Sequence, residues 1–262
     1  MSASIRLRGV TKFFGGLEAL RLLDLDIEPG EIVTVLGASG SGKTTLLRLI
    51  GALDEPSAGA VTVDGTTPHA ARVAKRIGFV PQSPALLPWR NVAQNARLLL
   101  EVNRAATGSS ARSPDELLAE VGLADFARAY PHELSGGMQQ RVALVRAMAL
   151  GAPLLLMDEP FAALDELTRA DMRHLLARLC ESLSTTIVFV THSVAEAVFL
   201  SDRVVVLSPR PGRIVGVERI DLPRPRHPRL EDEPEFFAYA KRLRALLVIG
   251  AGLGPGQPEA FV

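Results

Sequence analysis

The sequence predicts an α/β fold that is built on a mainly parallel sheet. Short apolar runs alternate with helical patterns, and wholly apolar runs are typical of parallel strands buried on both faces. Alternation of strands and helices favours an open α/β domain. One expected helix carries apolar residues at i, i+3, i+4, i+7 and i+11, namely Met172, Leu175, Leu176, Leu179 and Leu183. The expected strands are Ile5–Val10, Ile32–Leu36, Val61–Val63, Ile77–Val80, Leu154–Met157, Ile187–Val190 and Val204–Leu207.

The composition of the chain restricts the functions that are compatible with this fold. The 262 residues include 29 basic and 29 acidic side chains, and this balance disfavours a general nucleic-acid binder. No window reaches the roughly 18 consecutive apolar residues that a spanning helix needs, and Met1–Val10 contains no secretory signal. The single cysteine, Cys180, agrees with a reducing cytoplasm and is expected to pack inside a helix face.

The middle of the chain is predicted to be helical, because no convincing strand lies between Asn91 and Leu150. A linker of small residues, Ala105–Arg112, interrupts this part. Residues 1–220 are expected to form one domain with a helical subdomain inserted at about 88–150, and residues 221–262 a tail. The expected helices are Val92–Val102, Asp115–Val121 after the cap Ser113 with Pro114 first in the helix, Met138–Leu150, and an amphipathic tail helix near Glu235–Val248.

A glycine-rich loop follows the strand Ile32–Leu36 and precedes a helical run. Its glycines let the backbone curl around an anion, so that N–H groups and the helix N-terminus point at phosphate. Lys43 supplies a positive charge for the β- and γ-phosphates, and the Thr44 hydroxyl is placed to bind Mg²⁺. The pattern and its context disfavour a simple glycine-rich turn. The loop consists of Gly37, Ala38, Ser39, Gly40, Ser41, Gly42, Lys43, Thr44 and Thr45.

Two acidic residues follow the apolar strand Leu154–Met157. Ligands of open α/β sheets bind at such carboxyl ends of strands. Asp158 is suited to hold Mg²⁺ through water, and Glu159 to polarise an attacking water as general base. Alone, this pair is more often a strand end, but together with the phosphate loop it predicts nucleotide hydrolysis.

A second candidate anion site opens the helix after Leu134. Ser135, Gly136 and Gly137 leave that helix N-terminus bare of large side chains where a phosphate would approach. The stretch Leu134–Arg141, combined with the phosphate loop, resembles an ATP-binding cassette (ABC) nucleotide-binding domain. Kinases and GTPases lack this second loop, so the combination disfavours both.

The resemblance covers about Ile5 to Arg213 and implies an ATPase with a P-loop NTPase core, an N-terminal antiparallel β subdomain and an inserted α-helical subdomain. It implies that Phe14 stacks on adenine, although Phe13 leaves the register open and a core Phe is the alternative. The resemblance implies three further contacts. Gln82 would contact Mg²⁺ and the attacking water, Ala163–Asp165 would contact a partner cassette, and His192 would contact the γ-phosphate.

The resemblance also implies that two cassettes pair head to tail. Each ATP would then lie between the phosphate loop of one chain and Ser135–Gly137 of the other, which is a second copy or a paralogous cassette. ATP binding would close this dimer and hydrolysis would reopen it, driving transmembrane permease subunits. The expected location is peripheral, on the cytoplasmic face of the cell inner membrane.

Two stretches, Gln82–Trp89 and Ala197–Arg213, resemble importers of nitrate, aliphatic sulfonates and taurine. A solute-binding protein would be an indirect partner, and no nucleic acid is expected. Trp89 lies where the family receives the permease, with a buried core Trp as an equal alternative. The transported solute stays open, with a pyrimidine thiamine precursor as a further candidate. Two other functions are weaker: a soluble ABC ATPase acting on ribosomes or DNA, and a degenerate cassette, which the intact Lys43, Asp158, Glu159 and His192 disfavour.

Overall fold

The computed structural model describes residues 2–103, 112–181 and 185–252. All of the predicted linker Ala105–Arg112 except Arg112, and also Leu183, lie outside the described residues. The α/β fold class is confirmed, with a six-stranded sheet in the order β5-β6-β7-β3-β8-β9 and a three-stranded sheet in the order β2-β1-β4. Within the described residues, no helix is both long enough and apolar enough to span a bilayer.

The six-stranded sheet is parallel except for its last strand, which runs antiparallel to its neighbour. Three of its strands are buried at every residue, which explains their apolar sequences. Every strand predicted in this sheet is confirmed within one residue at each end. The strands are β3 (Ile32–Leu36), β5 (Ile77–Val80), β6 (Leu154–Asp158), β7 (Thr186–Thr191), β8 (Arg203–Leu207) and β9 (Ile214–Arg219).

The three-stranded sheet is antiparallel and comprises β1 (Ile5–Phe14), β2 (Leu17–Ile27) and β4 (Ala58–Val63). The antiparallel N-terminal subdomain is therefore confirmed. The sequence prediction missed β2 and the edge strand β9. In β2, the pairing with β1 shifts register, and Leu22 adopts a left-handed φ of 48° with 70% of its surface exposed. This irregularity interrupts the middle of β2, whereas its second half, Leu23–Ile27, alternates buried and exposed residues and is a strand signal that the prediction did not use.

Helices cover both sheets and form most of the described chain between β5 and β6, where no described residue lies in a strand. The predicted helices in this part are confirmed, and Ser113 caps its helix by accepting a hydrogen bond from the Glu116 N–H at 3.4 Å. The helices are α1 (Lys43–Ile50), α2 (Pro68–Val73), α3 (Val92–Val102), α4 (Pro114–Glu120), α5 (Gly136–Met148), α6 (Glu166–Glu181), α7 (Val194–Leu200) and α8 (Pro234–Gly250).

The core has two clusters, one on each face of the central sheet. Along β3, for example, Ile32 and Leu36 belong to one cluster, whereas Val33 and Val35 belong to the other. Cys180 is buried as predicted, and burial raises the pKa of its thiol to about 12. Since β3, β6 and β7 are parallel neighbours, their carboxyl ends meet at one edge of the sheet.

The predicted tail helix is confirmed as α8, which buries Phe236, Ala240 and Leu243 against the larger cluster. A 3₁₀ turn before it is held to α6 by Glu231. This carboxylate accepts hydrogen bonds from Arg173 at 2.5 Å and contacts His174 Nε2 at 2.8 Å. The tail therefore packs on the domain through both apolar and charged contacts.

Candidate functional site

The phosphate loop, residues 37–45, joins β3 to α1. Gly40 and Gly42 have left-handed φ angles of 78° and 91°, which favour glycine. A Cβ at Gly42 would lie 2.5 Å from Leu20 Cδ2 and 3.0 Å from the Ala19 carbonyl oxygen. No side chain caps the N-terminus of α1, so its N–H groups are available to an anion.

Lys43 is 4% exposed and folds back over this loop. Its Nζ donates to the carbonyl oxygens of Gly37 at 2.9 Å and Ala38 at 3.0 Å. The same Nζ lies 3.2 Å from Glu159 Oε1. A buried ammonium needs such partners, and a bound phosphate would offer it a stronger one.

Asp158 ends β6 and meets the first turn of α1. Its Oδ1 accepts a hydrogen bond from Thr44 Oγ1 at 2.9 Å. Burial raises the pKa of the Asp158 carboxyl, and the bond from Thr44 opposes this shift. A cation beside this carboxylate would keep it ionised.

These two oxygens fit a Mg²⁺ site. In phosphoryl-transfer sites Mg²⁺ takes one or two protein ligands and completes its shell with phosphates and water. Thr44 and Asp158 offer a hydroxyl and a carboxylate 2.9 Å apart. The described ranges contain no group of three or more His, Cys, Asp and Glu that would make an all-protein metal cage.

Glu159 lies between two candidate catalytic side chains. Besides its contact with Lys43, its Oε2 lies 3.2 Å from His192 Nδ1. Glu159 has a left-handed φ of 40°, which is uncommon outside glycine and is concentrated at functional sites. Its N–H donates to the Val190 carbonyl oxygen at 3.0 Å, which anchors the residue to β7. His192 is half exposed and so can meet a ligand.

A cleft of about 340 Å³ lies over the phosphate loop. Nine of the predicted site residues line it, together with Leu17, Ala19 and Arg210, which were not predicted as site residues. Residues 37, 38 and 41, Asp158 and His192 do not line it; Gly37 and Ala38 face Lys43 instead, and Ser41 is buried. The predicted lining residues are Phe14, Ser39, Gly40, Gly42, Lys43, Thr44, Thr45, Gln82 and Glu159.

Phe14 forms an aromatic wall of this cleft, and Phe13 does not line it. Phe14 is 47% exposed, so the alternative of a core Phe is wrong. The Lys12 ammonium lies 4.8 Å from the centroid of the Phe14 ring and 2.5 Å from an Asp54 carboxylate oxygen. A cation–π contact with Lys12, on the same strand β1, therefore holds the Phe14 ring while part of the ring faces the cleft.

The second loop, residues 135–137, does not line the cleft. Ser135 caps α5 by accepting a hydrogen bond from the Met138 N–H at 3.3 Å. A Cβ at Gly137 would lie 2.6 Å from Thr168 Cγ2, whereas the nearest atom to a Cβ at Gly136, in Leu164, is 4.0 Å away. A single chain therefore does not bring its two candidate anion loops into one pocket.

The predicted partner-facing segment, Ala163–Asp165, connects β6 to α6. Asp165 Oδ1 accepts a hydrogen bond from the Thr168 N–H at 3.0 Å, and this bond lowers the pKa of the Asp165 carboxyl. Leu167, in the first turn of α6, is 81% exposed. An apolar side chain thus stands on the surface beside this segment.

Trp89 is 71% exposed, so the alternative of a core Trp is wrong. Two buried residues that sequence reasoning missed fix the loop that carries it. Asn95 Oδ1 accepts from the Leu87 N–H at 2.8 Å, and Arg146 donates to the carbonyl oxygens of Ala85 at 2.8 Å and Pro84 at 2.6 Å. A polar residue inside an otherwise apolar helix face was the available signal for both. The buried side chains of Asn95 and Arg146 therefore hold the backbone of this loop, while Trp89 is exposed to solvent.

Comparison with known proteins identifies similar chains. The family profile described as ABC transporter matches residues 20–162. The chain is 46% identical over 227 residues to the aliphatic sulfonates import ATP-binding protein SsuB 1 of Xanthomonas axonopodis pv. citri, covering 86% of this chain and 89% of the relative. It is 44% identical over 242 residues to the nitrate import ATP-binding protein NrtD of Synechocystis sp., covering 89% of each.

A solved structure is also similar. It is the dimeric, post-hydrolysis ATP-binding cassette MJ0796 bound to ADP and Pi, with a TM-score of 0.70 and 34% sequence identity. The alignment covers 83% of this chain and 99% of that one. The likeness therefore extends over the whole of that cassette, and the remainder of this chain lies outside it.

Proposed function

Because this chain belongs to the ABC transporter family, we propose that it is the ATP-hydrolysing subunit of an importer for a small solute such as nitrate, an aliphatic sulfonate or taurine. The observation that carries the proposal is the convergence of Lys43, Glu159 and His192 with the Thr44–Asp158 pair at one sheet edge. Relatives at 44 and 46% identity are named as import proteins, which disfavours a ribosome- or DNA-directed ATPase.

ATP binds with its phosphates on the phosphate loop. Backbone N–H groups of residues 37–45 and the N-terminus of α1 surround the β-phosphate, and Lys43 turns from its carbonyl partners to the β- and γ-phosphates. The adenine stacks on Phe14, at the wall of the same cleft. The cleft volume of about 340 Å³ suits one nucleotide held at an open surface.

Thr44, Asp158 and Gln82 would hold Mg²⁺. When bound, the ion supplies positive charge that neutralises the phosphate oxygens as the γ-phosphate is transferred. Thr44 and Asp158 are already joined by a hydrogen bond, so little rearrangement of protein oxygens is needed. Gln82 reaches the cleft from the end of β5.

Hydrolysis uses Glu159 as general base. Once Lys43 contacts phosphate, Glu159 Oε1 loses its cation and is free to accept a proton from water. The water oxygen then bonds to the γ-phosphorus while the bond from that phosphorus to the β–γ bridging oxygen breaks, giving ADP and phosphate. His192, next to Glu159, contacts the γ-phosphate and positions it.

A second copy, or a paralogous cassette, completes each site. Ser135–Gly137 do not line their own cleft, although their exposed helix N-terminus is suited to bind phosphate. In a head-to-tail pair they cover the ATP on the partner chain. The dimeric form of the similar cassette supports this arrangement. ATP binding closes the pair, and hydrolysis reopens it.

Permease subunits receive this motion at the exposed Trp89, whose loop is held rigidly by Asn95 and Arg146. The chain would then be a peripheral protein on the cytoplasmic face of the inner membrane. A solute-binding protein delivers the solute to the permease and never touches the cassette. Solute selectivity resides in those two partners.

The test is Glu159→Gln, with Glu116→Gln on the exposed face of α4 as the matched control. The glutamine keeps the size of the side chain but accepts no proton, so the ATP hydrolysis rate measured with the permease should fall about 10²–10⁴-fold. ATP affinity should be retained. Equal turnover of Glu159→Gln and the wild type would remove Glu159 from the role of base.

A further inference from the structure

Arg210 stands at the mouth of the cleft, in the loop between β8 and β9. It is exposed and lines the cleft together with Phe14, Ser39 and Gly40. Its Nη2 lies 3.4 Å from the position of a Cβ built on Gly40. Because β8 pairs with β3, this loop leaves the sheet at the same edge as the phosphate loop.

The loop that carries Arg210 is fixed to its surroundings. The Gly212 N–H donates to the Ala19 carbonyl oxygen at 2.9 Å, and the Arg21 N–H donates to the Gly212 carbonyl oxygen at 3.0 Å. A Cβ at Gly212 would lie 2.1 Å from the Ser41 carbonyl oxygen, so this loop touches the phosphate loop directly. The position of Arg210 is therefore set by backbone contacts on both sides of the cleft.

The Arg210 guanidinium has no hydrogen-bond or ion-pair partner among the described residues. The nearby Arg21, by contrast, is paired with Glu18. Lys43, the other cation of the cleft, is compensated by Glu159. Arg210 is thus a cation of the cleft that no side chain of the described residues neutralises.

We propose that Arg210 binds the phosphate chain of the nucleotide, as a second cation supplied by an element other than the phosphate loop. This inference rests on the proposed function. Phosphate is favoured over adenine because the guanidinium lies beside Gly40, a residue of the phosphate loop. A guanidinium also matches two phosphate oxygens at once, which an ammonium does not.

The test compares Arg210→Gln and Arg210→Lys with Arg213→Gln. Arg213 is a matched control because it is an exposed arginine of the same segment that lines a different cleft, with Arg21 and Leu22. Dissociation constants for ATP and ADP are measured by titration at low and high salt. Arg210→Gln should raise the dissociation constants of both nucleotides about 5- to 20-fold and make them less dependent on salt concentration. Arg210→Lys should recover part of the lost affinity, and Arg213→Gln should match the wild type.

Equal affinity and equal salt dependence of Arg210→Gln and the wild type would overturn the inference. It would also be overturned if Arg210→Gln kept its nucleotide affinity but lost ATP-dependent pairing, since Arg210 would then contact the partner chain. Either result leaves the proposed function intact. Failure of the wild type to bind ATP would instead remove the proposed function. Thermal unfolding without nucleotide shows whether each variant is folded.

Discussion

The phosphate loop and the loop Ser135–Gly137 are both glycine-rich helix N-termini, yet the chain completes only one of them. Around the phosphate loop, Lys43 contacts two carbonyls and Glu159, and Thr44 contacts Asp158. At the second loop, the Ser135 hydroxyl accepts a hydrogen bond from the backbone of its own helix, and none of the three residues lines the cleft.

This difference teaches that an anion site is defined by what surrounds a helix N-terminus. At the first loop, Lys43 lies 3.2 Å from Glu159, the proposed base, and Thr44 lies 2.9 Å from Asp158, with which we propose it holds Mg²⁺. At the second loop, Ser135 and Gly136 are exposed, Gly137 is buried, and the nearest atom to a Cβ at Gly136 is 4.0 Å away. We therefore expect changes at the first loop to affect ATP binding by one chain, and changes at the second to affect only the paired chains.

The largest effect on binding is expected from Lys43→Ala. Removal of the buried ammonium deletes a charged contact to phosphate, so the dissociation constant for ATP should rise about 10- to 100-fold. Titration of the single chain with a fluorescent ATP analogue measures this. Lys241→Ala, an exposed position on α8, serves as the control. An unchanged dissociation constant for ATP in Lys43→Ala would contradict the proposed difference between the phosphate loop and the loop Ser135–Gly137.

A smaller effect is expected from Ser135→Ala, compared with Ser113→Ala at the equivalent cap of α4. Each substitution removes a side-chain cap, at 3.3 Å and 3.4 Å respectively, and should lower the free energy of unfolding by about 1 kcal/mol. Neither should change the affinity of the single chain for ATP. Only Ser135→Ala should also slow hydrolysis, because only Ser135 would meet the partner's nucleotide. Equal hydrolysis rates in the two variants would reduce Ser135 to a structural cap.

The buried strands and the motif residues could be predicted because each has a recognisable local sequence pattern. A fully buried strand such as β3 is continuously apolar, and the phosphate loop needs glycine at fixed spacing. The family prediction is confirmed for the same reason. The strand β9 was missed because it is a half-buried edge strand without a clean alternation. The strand β2 is irregular at Leu22, but the alternation over Leu23–Ile27 was an available signal that the prediction did not use.

Residues that reach the site from other elements have no such pattern. Arg210 lies more than a hundred residues beyond the phosphate loop and belongs to no motif that spacing reveals. Its place in the cleft follows from the pairing of β8 with β3. Asn95 and Arg146 likewise act through carbonyl and N–H groups of the loop before α3, and the sequence does not show which backbone groups a side chain will meet.

The most direct test of the two-chain site is the mass of Glu159→Gln in saturating MgATP, with and without Gly136→Ala. A Cβ at Gly136 has room in the single chain, with the nearest atom 4.0 Å away, but it would stand where the partner's phosphate must approach. Light scattering should give about twice the 28.1 kDa of one chain for Glu159→Gln and the mass of one chain for the double variant, with equal ATP binding in both. A single-chain mass for Glu159→Gln, or a paired double variant, would contradict the account.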